Sequence, residues 1–545
     1  MRLLLLLGAA CAVMAQSPPV VEVDSGRIAG ARFGSRPDEV MFLGIPFAAP
    51  PTAELRWQPP HPVAPWTNVR PAVAFGPACP QPADSEAYYQ AVRTELARSI
   101  EPYFTFRTSE DCLYLNVWTA NLPADHPAGP KRPVMVWIHG GGNVSGTGQY
   151  PPFGPALARQ GVVLVSFNYR LGALGFLAHP ALTAESPKRA SGNYAILDQI
   201  AALAWVRRNI GRFGGDPANV TVFGESAGGV MVCYLMASPL ARGLFQRGIL
   251  ESCTCSNYIS PALRTPARYE GGSGAAEQIG LRLARRLHVP EGPHALAELR
   301  AKPVKEILDA SARSPDLNFD AGGTVDGWVL TEQPAAAFAQ GRQAKVPVIV
   351  GSNSDEASVL GSVGLGGPPT LAHYRAYVRD RFGDQAGEVL RLYPAATDAD
   401  VPAAYAALLT DYRYGNAAHA FAADTARAGQ KAWLYYFSYP AKGQYAGFGA
   451  FHGLEINFVA GWLRPSRWGP TTAEDRKIID LMTGYWTQFA KTGDPNGAGL
   501  PTWPAYDPGA DQVLEIGRQV RLRATPHADR FAVFERAKTG RRSRR

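Results

Sequence analysis

The stretch Val220-Thr221-Val222-Phe223-Gly224-Glu225-Ser226-Ala227-Gly228-Gly229 constrains this chain more than any other. An apolar, β-branched strand pattern runs into a G-x-S-x-G pentapeptide, and a small-residue helical pattern follows through Met231 and Leu235. A serine is a weak nucleophile until a base takes its proton and its hydroxyl stands clear of the backbone. A sharp strand-to-helix turn meets the second condition, and Gly224 and Gly228 leave room for it where larger residues would clash. The start of a helix also aims N–H groups at the same point, where developing negative charge would be stabilised. In a chain with 56 glycines such a pentapeptide can arise by chance, so the rest of the sequence must supply the partners.

Around that turn, apolar runs alternate with helical ones. Residues 113–118, 134–138 and 162–167 are continuous apolar runs that read as buried strands. Residues 195–210 have helical spacing, Gly214-Gly215-Asp216-Pro217 marks a turn, and the strand into Ser226 follows. This alternation predicts a mostly parallel sheet, in which sites form beyond the carboxyl ends of the strands. Three such ends carry chemistry. One holds His139-Gly140-Gly141-Gly142-Asn143, whose glycines let backbone N–H groups approach a ligand. The second holds Ser226. The third follows residues 346–350 at Gly351-Ser352-Asn353-Ser354-Asp355-Glu356, where a carboxylate would be placed to orient a histidine.

Of the histidines beyond that acid, His373 and His419 lie in helical patterns and His527 lies near the tail. His452 instead occupies a Gly-flanked loop, Gly449 to Glu455, after strand-like residues 432–439, and is the favoured base. Residues 20–23 and 27–31 suggest a small antiparallel element. Residues 84–107 have helical spacing with Tyr88, Tyr89, Tyr103, Phe104 and Phe106, which line a pocket mouth or simply pack onto the body. Helical, charged insertions fall around 255–345 and 366–430. No Pro, Gly or Ser linker and no internal repeat divides residues 16–535, so they are expected to form one domain. There is no G-x-x-x-x-G-K-[ST] and no G-x-G-x-x-G after a strand, which removes the obvious nucleotide-binding readings.

The formal charge of +8 is concentrated at the end of the chain, in Arg536, Lys538, Arg541, Arg542, Arg544 and Arg545. The rest is close to neutral, and residues 536–545 read as a solvated, disordered tail rather than a nucleic-acid-binding element. Arg2, the apolar residues 3–14 and Val13-Met14-Ala15 read as a signal peptide cleaved after Ala15, implying a secreted or periplasmic protein. That run is too short to span a bilayer, and lipid attachment at Cys11 is the alternative, with Gly8 at a position where a lipobox usually has Leu. Five cysteines remain in the mature chain, so at least one is unpaired. Cys79 and Cys112, in polar stretches joined by an irregular loop, are the favoured pair, and their bond would add roughly 3–4 kcal/mol. Cys253-Thr254-Cys255 is open to a strained bridge, a soft-metal site or two buried thiols; with no histidine at metal-ligand spacing the buried thiols are favoured, and Cys233 reads as free.

Several stretches together resemble the type-B carboxylesterases, a family that includes the cholinesterases. They are Gly44-Ile45-Pro46-Phe47, Ser109-Glu110-Asp111-Cys112-Leu113-Tyr114-Leu115-Asn116-Val117, Trp137-Ile138-His139-Gly140-Gly141-Gly142 and Asn168-Tyr169-Arg170-Leu171-Gly172. Gly192-Asn193-Tyr194, Phe213-Gly214-Gly215-Asp216-Pro217 through Gly224-Glu225-Ser226-Ala227-Gly228, His452-Gly453-Leu454-Glu455-Ile456 and Lys491-Thr492-Gly493-Asp494-Pro495-Asn496 continue the likeness, which spans about residues 20–535. The resemblance implies an α/β-hydrolase fold with helical insertions over the active site. It implies a triad of Ser226, Glu356 and His452, oxyanion donors at Gly141, Gly142 and Ala227, a supporting Ser252, and a Cys79–Cys112 disulfide. The sequence departs from the pattern at Ala357, where the family usually has Gly, which leaves Asp355 as an alternative acid. It departs again at Cys253, where Gly usually follows the supporting serine. No tryptophan precedes Cys112 at the choline-binding position of the cholinesterases, so a choline ester loses weight.

The expectation is therefore an exported serine esterase acting on small esters, with no metal, cofactor, nucleic-acid partner or stable membrane anchor. Its rivals are a non-catalytic binding protein of the same fold and an esterase narrowed to one natural ester, such as a lactone, a polyester or a toxin.

Overall fold

The computed structural model describes residues 17–542 apart from 37, 83–106, 121, 123–129, 150–152, 258, 270–271, 313–316, 318, 320–321, 361–364 and 366. The expected signal peptide, residues 1–15, and the aromatic run from Tyr88 to Phe106 lie outside the described residues.

An 11-stranded sheet frames the molecule. In chain order its strands are β1 (Ala31–Arg32), β2 (Val40–Pro46), β3 (Tyr114–Thr119), β4 (Arg132–Ile138), β5 (Val163–Phe167) and β6 (Gly215–Glu225). There follow β7 (Arg247–Glu251), β8 (Val348–Asn353), β9 (Ala432–Phe437), β10 (Gln512–Ile516) and β11 (Val520–Ala524). Across the sheet the order is β1-β2-β3-β5-β4-β6-β7-β8-β9-β10-β11. Every step from β5 to β10 is parallel, and the outer steps are antiparallel. The sheet is therefore mostly parallel, as the alternation of patterns predicts, although the run at 113–118 forms an antiparallel member of it.

Because side chains alternate along a strand, the apolar runs feed two cores. Val220 and Val222 of β6, with Val348 and Val350 of β8, enter one; Phe223 and Ile349 enter the other. The first core is closed by α1 (Tyr194–Asn209) and α2 (Ala227–Ala237). Further along come α3 (Leu371–Phe382), α4 (Val401–Leu409), α5 (Asn416–Arg427), α6 (Ala473–Thr492) and α7 (Ala528–Arg542), with a π-helix, Thr410–Gly415, between α4 and α5. Helix α6 covers the second core. It starts at a reciprocal cap, in which Asp475 N donates to Thr472 Oγ1 (3.2 Å) and Thr472 N to Asp475 Oδ2 (2.8 Å), and it ends at Gly493, φ 80°. Its Ile478, Met482, Tyr485, Trp486 and Phe489 share one buried stripe. Each such side chain contributes about 1.5–3 kcal/mol of burial.

Three features differ from the expected pattern. The turn expected at Gly214-Pro217 falls inside a strand: β6 pairs Gly215 with Arg132 and next Val220 with Val134, so residues 216–219 bulge out of the ladder. Helix α7 runs to Arg542, into the stretch read as a disordered tail, and Arg536 Nη2 donates to Glu388 Oε2 at 2.9 Å. Cys79 and Cys112 are bonded (Cα–Cα 5.0 Å), but so are Cys233 and Cys255 (Cα–Cα 6.4 Å), leaving Cys253 as the free thiol among the described residues. The second bond corrects the expectation that Cys233 and Cys255 are unpaired. They meet only because α2 packs beside the turn that follows β7, a tertiary contact that their spacing of 22 residues does not announce.

Candidate active site

The carboxyl ends of four neighbouring strands converge. In register, Ile138 of β4 faces Gly224 of β6, Glu225 of β6 faces Glu251 of β7, and Glu251 faces Gly351 of β8. The segments that leave these strands, 139–143, 226–229, 252–255 and 354–358, are thereby set side by side. The loop after β9 brings His452 to the same place.

Ser226 is the residue between β6 and α2, at φ 57° and ψ −123°. A non-glycine residue in that region is strained, and the strain lifts the side chain out of the strand-to-helix path. The crowding that demands the flanking glycines is plain: a Cβ on Gly228 would lie 2.0 Å from Ile138 O, and one on Gly224 would lie 2.6 Å from Gly228 C. Ser226 N is used structurally, donating to Glu251 O at 2.9 Å. The next amide belongs to Ala227, the first residue of α2, and has no intrahelical acceptor.

Ser226 Oγ is 2.8 Å from His452 Nε2, and His452 Nδ1 is 2.6 Å from Glu356 Oε2. The second oxygen of Glu356 accepts from Ser252 Oγ (2.7 Å) and from Asn353 N (2.8 Å). Glu356 is fully buried, and four hydrogen-bonding groups thus fix one acid, one base and one hydroxyl in line. Asp355, the alternative acid, points elsewhere: its Oδ2 accepts from Ala450 N at 3.0 Å. Ala357 is accommodated without a glycine, its N–H donating to Thr410 Oγ1 of the π-helix at 3.1 Å.

The glycine loop lies directly against the serine. A Cβ on Gly140 would be 3.2 Å from Ser226 Cβ. Gly141 and Gly142 have φ of 103° and 64°, and the Gly141 carbonyl is turned back into its own loop, accepting from Val144 N, Ser145 N and Ser145 Oγ at 3.2, 3.0 and 2.9 Å. His139 supports the loop as a neutral ring. It stacks on Tyr169 (centroids 4.3 Å apart), its Nδ1 faces Gly140 O at 2.9 Å, and burial pushes its pKa down to about 4. Tyr169 OH in turn donates to His139 O at 2.7 Å.

Residues 17–534 match the profile of the Carboxylesterase family. The chain belongs to that family. It is 38% identical over 511 residues to the Fumonisin B1 esterase of Sphingopyxis macrogoltabida, covering 90% of this chain and 86% of the relative. It is 34% identical over 508 residues to the para-nitrobenzyl esterase of Bacillus subtilis (strain 168), covering 90% and 93%. A solved PNB esterase superposes with a TM-score of 0.77 at 30% identity, over 95% of this chain and all of that one. The protein is thus a carboxylic ester hydrolase with the α/β-hydrolase fold.

In this carboxylesterase, three carboxyl groups beyond the expected ones crowd the site. Glu225, the variable residue inside the pentapeptide, brings Oε1 to 3.3 Å from His452 Nε2. Glu455, three residues past His452, takes Ser252 Oγ (3.1 Å) on one oxygen and Asn353 Nδ2 (2.5 Å) on the other. Glu251 accepts from Trp486 Nε1 at 3.0 Å. Burial first, then mutual repulsion, holds Glu225 and Glu455 well above the usual carboxyl range, and burial pushes Glu251 up to about 8. Glu225 and Glu455 stand inside recognisable motifs, so a signal for them existed. Tyr414 had none. It lies on the π-helix and sets its ring 4.8 Å from that of His452. Among the described residues there is no His, Cys, Asp and Glu group suited to a metal ion and no helix long and apolar enough to cross a membrane.

Proposed function

We propose that Ser226 is the nucleophile of an acyl-enzyme mechanism. His452 takes its proton as Oγ attacks the ester carbonyl and later delivers that proton to the departing alcohol. Glu356 holds the Nδ1–H tautomer and stabilises the imidazolium. The N–H groups of Gly141, Gly142 and Ala227 receive the oxyanion, and one such donor is worth about 3–4 kcal/mol. Water then repeats the sequence to release the acid. Every proton in this cycle moves between the ester, water, Ser226 and His452, so the residues named complete it. The observation that carries the reading is the unbroken line from Ser226 Oγ through His452 to Glu356, at 2.8 and 2.6 Å, set at the start of α2.

The test is p-nitrophenyl acetate. A burst of one p-nitrophenolate per chain should precede steady turnover, and Ser226→Ala should fold yet turn over at least about 10³-fold more slowly. Undiminished turnover in that variant would overturn the mechanism, and a wild-type protein with no burst and no turnover would favour the binding-protein alternative.

A second, narrower reading rests on the 38% identity to the Fumonisin B1 esterase: the natural substrate is one particular ester, fumonisin B1 or one like it. Comparing kcat/KM for fumonisin B1 and for p-nitrobenzyl acetate separates a specialist from a generalist. Export is part of the same proposal, supported by two disulfides, which persist in oxidising compartments. A mature protein beginning at Gln16 is the expected result of N-terminal sequencing.

A further inference from the structure

The triad base sits on a loop, and the loop is held by the turn that carries the triad acid. Five hydrogen bonds between four residue pairs join them. Asn353 Nδ2 donates to Phe451 O at 2.8 Å. Asp355 makes two bonds to Ala450: its Oδ2 accepts from Ala450 N at 3.0 Å, and its N donates to Ala450 O at 3.1 Å. His452 N donates to Glu356 O at 3.2 Å, and Ser358 Oγ donates to Phe448 O at 2.7 Å. Ser354 Oγ donates to the same Asp355 Oδ2 at 2.5 Å. The fit is close enough to dictate Gly449: its φ is 65°, and a Cβ there would fall 2.2 Å from Asp355 Cγ.

We propose that Asp355 and Ser358 are positioning residues for His452, clamping the histidine loop to the acid's turn so that base and acid enter the site as one rigid unit. This rests on the triad reading above. The ring's Nδ1 is taken by Glu356, while Asp355 itself bonds to the loop backbone one residue before Phe451. Its role is geometric. The His452 ring must keep Nε2 at hydrogen-bonding distance from Ser226, and a displacement of ~1 Å in such a group costs about 10²-fold in rate. Without the Asp355 and Ser358 side-chain bonds the loop would keep only its contacts to Glu356, Asn353 Nδ2 and Asp355 N, and the ring would sample that displacement.

The expected signature follows from the kind of atom involved. Asp355→Ala removes the acceptor for Ala450 N; Asp355→Asn keeps an oxygen there. In the full-length enzyme, with active sites counted by stoichiometric labelling with an organophosphate, Asp355→Ala should lower kcat for p-nitrophenyl acetate by about 10–100-fold at nearly constant KM. The pH of half-maximal rate should hold, and Asp355→Asn should recover most of the loss. A kcat per labelled site equal to wild type in Asp355→Ala overturns the proposal. So does a loss accompanied by a shift of the pH profile, which would make Asp355 a charge partner of the ring. Should Asp355→Ala not fold, Ser358→Ala tests the same clamp: a severalfold fall in kcat at constant KM supports it, and an unchanged kcat overturns it. Failure of the triad reading looks different, because Ser226→Ala would then keep its activity whatever happens at Asp355.

Discussion

Ser252 Oγ stands 2.7 Å from Glu356 Oε1, on the oxygen turned away from His452. The same hydroxyl is 3.1 Å from Glu455 Oε1, yet it has one hydrogen to give. Burial holds the Glu455 carboxyl well above its usual range and weakens its pull on that hydrogen, which goes to Glu356 at the shorter distance. Ser252→Ala removes a hydrogen bond to a charged acceptor, an interaction of about 1.5–3 kcal/mol. A fall in kcat of about 10–100-fold is expected for p-nitrophenyl acetate, with KM little changed. Equal kcat in the variant would mean that Asn353 N alone holds the acid.

The choice between the adjacent acids is testable by charge. Glu356→Gln removes the charge that stabilises imidazolium and allows the wrong tautomer, so it should cost about 10³–10⁴-fold in kcat. Asp355→Asn keeps the histidine loop bonded and should cost far less. If the order of damage is reversed, the acid has been assigned one residue too late.

How much of this was legible in the sequence depends on how local each signal is. The strand, the pentapeptide and the helix at Ser226 are contiguous, so periodicity and glycine placement sufficed. Choosing Glu356 over Asp355 was beyond periodicity, because neighbouring residues in a turn point in unrelated directions; only the family resemblance ranked them. The bond between Cys233 and Cys255 depends on how α2 packs, and cysteine spacing carries no record of that. Tyr414 is harder still. A π-helix changes the phase of the side chains along an otherwise helical run, so a helical pattern read straight through residues 401–427 misplaces the face on which Tyr414 lies.

The cysteines give a labelling prediction. In the denatured, unreduced protein, alkylation should modify Cys253 alone, and peptide mapping should link Cys79 to Cys112 and Cys233 to Cys255. The native protein should resist the reagent, because Cys253 is buried and its thiol is pushed up to about 12. Labelling of Cys233 in the denatured chain would refute the second bond. Each bond is worth about 3–4 kcal/mol by loop closure, so reduction should lower Tm markedly.

Stability should fall on both sides of an intermediate pH, for separable reasons. His139 is buried neutral with a pKa of about 4 against 6.5 unfolded, so the unfolded chain takes up a proton first. Its contribution is present above pH 6.5 and is lost as pH falls toward 4, by up to about 3 kcal/mol. Glu251 works in the opposite sense. Its pKa is raised from 4.5 to about 8, so the stability it lends is complete below 4.5 and is lost as pH rises through 8. Glu251→Gln keeps an acceptor for Trp486 and never ionises. Thermal melts across this range should show a shallower loss of Tm on the alkaline side in the variant. Superimposable curves would show that Glu251 does not carry the alkaline limb.

The last prediction concerns substrate shape and comes from the Gly141 carbonyl. In many hydrolases a single glycine precedes a bulky residue at this point, and the backbone carbonyl projects toward the alcohol half of the ester. Here three hydrogen bonds from Val144 and Ser145 turn that oxygen into the loop, a rotation that the φ of 103° at Gly141 permits. Gly142 adds no bulk: even a Cβ there would find its nearest neighbour, Val144 Cγ2, at 3.9 Å. Space beside the scissile bond is therefore left to the substrate, and the enzyme should hydrolyse esters of tertiary alcohols as well as linear ones. Asn143, buried at the end of the loop, lies against Gly322, where an added Cβ would be 2.8 Å from its Nδ2, so its amide packs against the covering insertion. The measurement is hydrolysis of tert-butyl acetate beside n-butyl acetate. Turnover of both is expected, with the hindered ester slower. Rapid cleavage of the linear ester and none of the hindered one would mean that another wall, with Cys253 the first to shorten by Cys253→Gly, closes the space that the loop leaves open.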